Sequence, residues 1–312
     1  MNLVKNILVL GAGELGTEIL HSLANHPARN EHNISIAVLL RASTISSTEQ
    51  SKIHQLDALR SLNISFVTGD IVNDAQHTLS SLFKPYDLVI SCTGFIAGKG
   101  TQLKIAHAVL SAKIPRFIPW QFGVDYDVIG PGSAQDLFDE QLDVRRLLRS
   151  QSETAWLIVS TGMFTSFLFE GGVGIVDVQR ATVRALGGWE NKVTVTAPTD
   201  IGKITAEIVL GERQAGEEVF ANKPIFIAGD TVSYAKVARI VEDLTGKPFQ
   251  KTVLTVEDVE EALARDPTNS LHKYNVVFGQ GRGVAWDVGE TWNFKAGIPA
   301  LTAEEWAKMN LV

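Results

Sequence analysis

The sequence predicts an α/β protein: a doubly wound parallel sheet followed by a smaller, interleaved C-terminal α/β region. Three observations carry that prediction. Short apolar runs without in–out alternation recur through the first half of the chain, helical patterns separate them, and a glycine-spaced turn, "GAGELG", joins the first run to the first helix. Unalternated strands with helical crossovers are covered on both faces, as in parallel sheets. Right-handed crossovers then wind the sheet outward in both directions.

The elements follow in order. "NILVLG" (6–11) is the first strand, and a helix over 14–25 follows it. "ISIAVLLR" (34–41) is the second, with a helix over 48–61 returning from it. "ISFVTGD" (64–70), "DLVISC" (87–92), "RFIPW" (116–120) and "AWLIVS" (155–160) continue the series. Later, "ATVRALGGWENKVTVTA" (181–197) is expected to fold as a hairpin, and a helix is expected over 201–210. "PIFIAG" (224–229) is a further strand. A helix over 233–245 places Tyr234, Val237, Ala238, Val241 and Leu244 on one face and stops at Gly246. Thr255 with Asp258 makes a capping start for a helix over 256–265, which Pro267 ends. The expected division is a nucleotide-binding domain over 1–160 and a substrate region over 161–312, partly interleaved with it.

Composition narrows the classes. The 312 residues are 45% apolar and 20% charged, which fits a folded globular chain. The formal charge of −7 argues against general affinity for nucleic acid or anionic membrane. Cys92 is the only cysteine, so neither an intrachain disulfide nor a thiolate cluster can form, which suits a reducing compartment. The longest uncharged stretch, 154–169, is too short to span a bilayer. Glycines and Glu14 interrupt the N-terminal apolar run too early for a signal peptide. The expectation is a cytoplasmic monomer or homodimer with a small-molecule partner. His21, His26 and His32 lack carboxylates in metal-ligand spacing and read as surface histidines, so no metal site is expected.

"GAGELG" has G-x-G-x-x-G spacing at the end of a strand and the start of a helix. Gly11 permits a tight turn, Gly13 lets backbone approach a pyrophosphate, and Gly16 allows close helix–strand packing. The backbone N–H groups at Glu14 and Leu15 add the positive end of the helix dipole. This is the Rossmann pattern, and it predicts a dinucleotide. At the end of the second strand, where an NAD enzyme usually has an acid, this chain has Arg41, then Ser43 and Thr44. A guanidinium and hydroxyls suit a 2′-phosphate, and one such contact is worth roughly 1.5–3 kcal/mol, about 10- to 150-fold in favour of NADP. Lys52, on the next helix, is a second positive group. Thr93 and Gly94 read either as the passage for a cofactor ribose or as an ordinary tight turn. Trp120 and Phe122, after the fifth strand, read equally as core or as ligand edge.

"QLKIAHAVLSAKIPRFIPWQFGVDYD", "FDEQLDVRRLLRS" and "WLIVSTGMFTSFL" resemble the isoflavone reductase-like branch of the NmrA-like atypical short-chain dehydrogenases. "PTDIGKITAEIV" and "FIAGDTVSYAKVARIVEDLTGKPF" continue the likeness over nearly the whole chain, more loosely after about residue 165. The resemblance implies NADPH and an oxidoreductase acting on a small aromatic or polycyclic metabolite. It assigns Gln121 and Phe122 to the nicotinamide, and Gly162, Met163 and Phe164 to its far side and the substrate pocket.

Two departures stand out. The family's "PSEFG" reads "PWQFG" here, and its active-site lysine aligns with Gln141. An amide hydrogen-bonds but does not supply a proton at neutral pH. The remaining candidates are Tyr126, Asp125 or Asp139 as donor, water, or a substrate that arrives already electrophilic. The other charges of that helix, Asp139, Glu140, Asp143, Arg145, Arg146 and Arg149, read mostly as a solvated face. The missing lysine also admits a second class: a non-catalytic NADP-binding redox sensor. Trp286, Trp292 and Trp306 either wall a pocket or pack the second region.

Overall fold

The computed structural model describes residues 4–94, 97–170, 174–211 and 219–311. Among these the chain forms thirteen strands: β1 (Asn6–Leu10), β2 (Ser35–Leu40), β3 (Ser65–Thr68), β4 (Leu88–Ser91), β5 (Arg116–Ile118), β6 (Ala155–Ser160), β7 (Met163–Phe164), β8 (Val176–Asp177), β9 (Thr182–Leu186), β10 (Lys192–Thr196), β11 (Lys223–Phe226), β12 (Asp230–Ser233) and β13 (Gln250–Leu254). The chain divides into two compact units.

The first unit comprises Met1–Gln121, Asp143–Val159 and Ile201–Ile225. Its centre is a seven-stranded sheet in the order β11-β6-β5-β4-β1-β2-β3. The pairings β1–β2, β2–β3, β1–β4, β4–β5 and β5–β6 are all parallel. Leu8, Leu10, Leu39, Val89, Phe117 and Ile158 from the strands meet Leu79, Phe83, Ile105, Val109, Val144 and Leu148 from the helices in one buried cluster. Strand order reverses at β1, which has β2 on one side and β4 on the other. In sheets of this kind ligands bind beyond the carboxyl ends of the strands at such a reversal. Leu10, the last residue of β1, stands beside Leu39 and Ser91 there.

The helix Pro198–Leu210 starts three residues before the expected position, because Pro198 serves as its first residue. Its Gly202 approaches the backbone of the helix Glu14–Asn25: a methyl group there would lie 2.6 Å from the Glu18 carbonyl oxygen. The "DIG" segment thereby supports the helix that follows the glycine turn.

The second unit comprises Phe122–Leu142, Ser160–Asp200 and Phe226–Val312. It holds two three-stranded sheets, β12-β10-β7 and β13-β9-β8. The expected hairpin does not form. β9 pairs with β13 and β8, whereas β10 pairs with β12 and β7. The segment between them packs away from a hairpin turn: a methyl at Gly187 would overlap the Gly279 carbonyl, and Asn191 Nδ2 donates to the carbonyls of Leu186 at 3.1 Å and Gly279 at 2.9 Å. The helix expected over 233–245 begins at Tyr234, with Ser233 as its cap, and stops at Gly246 as expected; the helix Val256–Arg265 opens with the expected Thr255–Asp258 capping box.

Candidate functional site

In the first unit the glycine turn stands at the carboxyl end of β1. Gly11 has φ +91°, a left-handed conformation that a side chain resists, and a methyl there would lie 3.3 Å from Thr93 Oγ1. A methyl at Gly16 would overlap the Gly11 carbonyl and sit 3.2 Å from Cys92 Cβ. Gly13 is different: nothing lies within 4 Å of where its methyl would be. It begins the helix Glu14–Asn25, whose N-terminus has no side-chain cap. Two glycines therefore answer to the protein's own packing, and the third faces open space at a helix N-terminus. The Leu15 side chain is buried while Glu14 is exposed.

Arg41 follows β2 directly. Its carbonyl accepts from the N–H groups of Thr44 at 2.9 Å and Ile45 at 3.1 Å, starting the short helix Ala42–Ile45 and leaving Arg41 and Ser43 exposed. Asp70, just after β3, has its carboxyl held below the usual range by the Asn73 side chain first, then by backbone N–H groups, with the Arg41 charge adding to the effect. Lys52 is half-buried and donates to Gln55 Oε1 at 3.2 Å.

Thr93 Oγ1 donates to the Leu10 carbonyl at 3.1 Å, and the Thr93 carbonyl accepts from the buried Gln102 side chain at 2.7 Å. A methyl at Gly94 would lie 3.3 Å from Trp120 Cζ2, so the indole of Trp120 runs along this turn. Burial pushes the Cys92 thiol well above its ordinary pKa, which leaves it protonated and a poor nucleophile.

Gln121 is fully buried, and its Oε1 accepts from Arg145 Nε at 2.8 Å. Arg145 is fully buried too, and Glu140 nearly so, which corrects the reading of both as part of a solvated face. The reason is helical register: Phe138, Gln141, Leu142, Arg145 and Leu148 follow 3–4 spacing along Leu137–Arg149, and all five are buried. Arg146 and Arg149 are exposed as expected, Arg146 pairing with Asp143 at 2.7 Å. Arg145 and Gln102, which bind Gln121 and the Thr93 carbonyl, are contacts of candidate residues that sequence reasoning missed. The signal for Arg145 was its place in line with Phe138 and Leu142.

In the second unit Phe122 is buried, and the Gly123 carbonyl accepts from the N–H groups of Thr161 at 2.9 Å and Gly162 at 3.0 Å. Gly162 has φ +72°, and a methyl there would overlap the Thr194 carbonyl. It leads into Met163, which is buried, and Phe164, which is partly exposed and 5.6 Å from the Phe167 ring.

Tyr126 is buried with its hydroxyl against Gly123, where a methyl would lie 2.8 Å from the oxygen. Its ring stands edge-on to Phe138 at 4.9 Å, and Phe138 edge-on to Tyr274 at 5.8 Å. Burial pushes the Tyr274 phenol up to about 12. Asp125 Oδ1 accepts from the N–H groups of Asp127 and Val128, and Asp139 Oδ1 accepts from that of Gly132 at 2.9 Å, so both acids bind backbone. Trp286 packs edge-on to Phe226 at 5.0 Å and Trp306 stacks on Phe169 at 5.5 Å, so both take part in the packing of this unit.

The model of the NmrA-like family matches residues 4–293. An NmrA-like family domain-containing oxidoreductase from Gibberella moniliformis is 44% identical over 98% of this chain and 99% of its own length. Among solved structures, a crystal structure of isoflavone reductase superposes with a TM-score of 0.77 at 22% identity, covering 99% of each chain. AtPrR2 with NADP+ and (+)pinoresinol superposes with a TM-score of 0.74 at 20% identity, again over 99% of each chain. At these identities the two structures speak for the fold. With a family match that runs through both units and a relative similar from end to end, this chain belongs to the NmrA-like family.

Proposed function

We propose that this protein is an NADPH-dependent oxidoreductase that reduces a small aromatic or polycyclic metabolite at a C=O, C=N or conjugated electrophilic centre. The observation that carries the proposal is the carboxyl edge of the first unit, where the Gly13 backbone opens at an uncapped helix N-terminus and Arg41 stands at the end of β2. These residues fit NADP in chemistry as well as position. An open glycine at a helix N-terminus suits a pyrophosphate, and an exposed guanidinium suits a 2′-phosphate. The name of the 44% identical relative, an oxidoreductase, supports the reading, as does the NADP+ held by AtPrR2.

When bound, NADPH supplies the hydride. Gly13, with the N–H groups of Glu14 and Leu15, takes the pyrophosphate, and Gly11 and Gly16 shape the turn that presents it. Arg41, Ser43 and Lys52 take the 2′-phosphate, Thr93 and Gly94 line the cofactor, and Gln121 with Phe122 serves its nicotinamide end. Gly162, Met163 and Phe164 line the substrate pocket. Gln141 orients the substrate by hydrogen bonding, and Tyr126 is the candidate proton donor. A general acid is worth about 10²–10⁴-fold in rate. A substrate that is already electrophilic, such as an iminium or a quinone methide, makes that contribution unnecessary, and an amide at position 141 then suffices.

The test is NADPH consumption by the purified protein against a panel of iminium ions, quinones, enones and ketones. Turnover is expected with an activated electrophile and is weaker with plain ketones. Stoichiometric NADPH uptake with no turnover on any class favours the redox-sensor reading instead.

A further inference from the structure

We infer that Gln55 is a positioning residue that aims the Gly13 N–H at the dinucleotide pyrophosphate. The inference rests on the NADPH reading and extends it to a residue outside the glycine motif. Gln55 lies on the helix Gln50–Ser61, within the connection from β2 to β3. Its Nε2 donates to the Ala12 carbonyl at 2.8 Å and to Thr17 Oγ1 at 3.0 Å, across 43 and 38 residues of sequence. Thr17 Oγ1 in turn donates to the same Ala12 carbonyl at 3.3 Å. A carbonyl oxygen only accepts, so the Gln55 atom that faces it must be the amide nitrogen.

The consequence follows from peptide geometry. The Ala12–Gly13 bond is trans, and a planar trans peptide points its C=O and its N–H in opposite directions. Two donors converging on the Ala12 oxygen therefore fix the direction of the Gly13 N–H, on the side away from Gln55 and Thr17. The next peptide is set differently, because the Gly13 carbonyl accepts from the Thr17 N–H at 2.9 Å as part of the helix. Among the donors of this turn, the Gly13 N–H is thus aimed by a tertiary contact where the Glu14 N–H is aimed by helix geometry, and Gly13 is also the glycine that faces open space.

Lys52 completes the arrangement. Its ammonium donates to Gln55 Oε1 at 3.2 Å, so a cation polarises the amide whose other end grips the turn. Hydrogen bonds in such a chain strengthen one another. The residue assigned to the 2′-phosphate and the peptide assigned to the pyrophosphate are joined through one side chain.

The test compares Gln55→Leu and Gln55→Glu with the wild type by calorimetric titration of NADPH, NADH and adenosine 2′-monophosphate, with a thermal melt of each protein. Leucine removes both donated bonds at similar volume. Glutamate turns the donor that faces Ala12 into an acceptor. Misaiming one backbone donor to a phosphate costs about tenfold in affinity. Both variants are expected to lose about that factor for NADPH and for NADH alike, with glutamate the worse. Adenosine 2′-monophosphate, which has no pyrophosphate, keeps Arg41 and Ser43, loses at most the contact that steadies Lys52, and changes in affinity by no more than about twofold. NADPH affinity within about twofold of wild type overturns the inference, as does an equal loss for adenosine 2′-monophosphate, which would mark a general loosening. If the wild type itself takes up no NADPH, the cofactor reading fails first and the role of Gln55 falls with it.

Discussion

Arg41 decides the choice of cofactor in this account. Replacing it with alanine removes a charge-assisted contact worth ~1.5–3 kcal/mol, so Arg41→Ala should weaken NADPH by about 10- to 150-fold in a binding titration and leave NADH unchanged. Gln141 is the second decisive residue. If the substrate arrives electrophilic, Gln141→Lys should change turnover of activated substrates only a few-fold. A gain of about 10² or more on neutral ketones, in a variant that melts like the wild type, would mean that the amide handicaps a carbonyl reductase. Cys92 should resist thiol reagents in the native protein and react once it is unfolded, because it is buried and its thiol stays protonated. At this scale the places of the glycines and of Arg41 were legible, since each answers to a local rule of turn or strand end. Arg145 was not: its charge outweighed its place in the Phe138–Leu142 stripe, and its contact with Gln121 lies 24 residues away.

Elements were legible wherever their signals are local. The parallel strands read as apolar runs, and Thr255 and Gly246 mark helix ends where the structure has them. The failure was the hairpin over 181–197. Two β-rich runs around Gly187 and Gly188 look like neighbours, but strand pairing is nonlocal, and contacts from Asn191 and Gly279 separate β9 from β10. Thr255→Ala should cost about 1 kcal/mol by loss of the capping box, read from chemical denaturation. Gly162→Ala should cost more, ~1–3 kcal/mol or beyond, because a side chain there meets both a positive φ and the Thr194 carbonyl.

For the molecule as a whole, acid should be the destabilising direction. Several carboxyls have pKa values lowered by hydrogen bonds made in the folded state: Asp70 by Asn73, Glu242 by Lys251, Asp258 by Thr255 and Asp266 by Thr268. A carboxyl whose folded pKa lies below its unfolded value contributes stability that is present above the unfolded value. That stability is lost as pH falls through the folded one. The melting temperature should therefore change little from these groups above about pH 5 and fall progressively below about pH 4. Fold class and family were legible because apolar periodicity and motif order run the length of the chain. Substrate identity was not, since pocket residues such as Met163 and Phe164 obey packing rules that many ligands satisfy. The most direct test of the central claim is calorimetric titration of the purified protein with NADPH and with NADH. The account predicts one NADPH site with a roughly 10- to 150-fold preference over NADH. No uptake of NADPH by folded protein, or equal uptake of both, contradicts it.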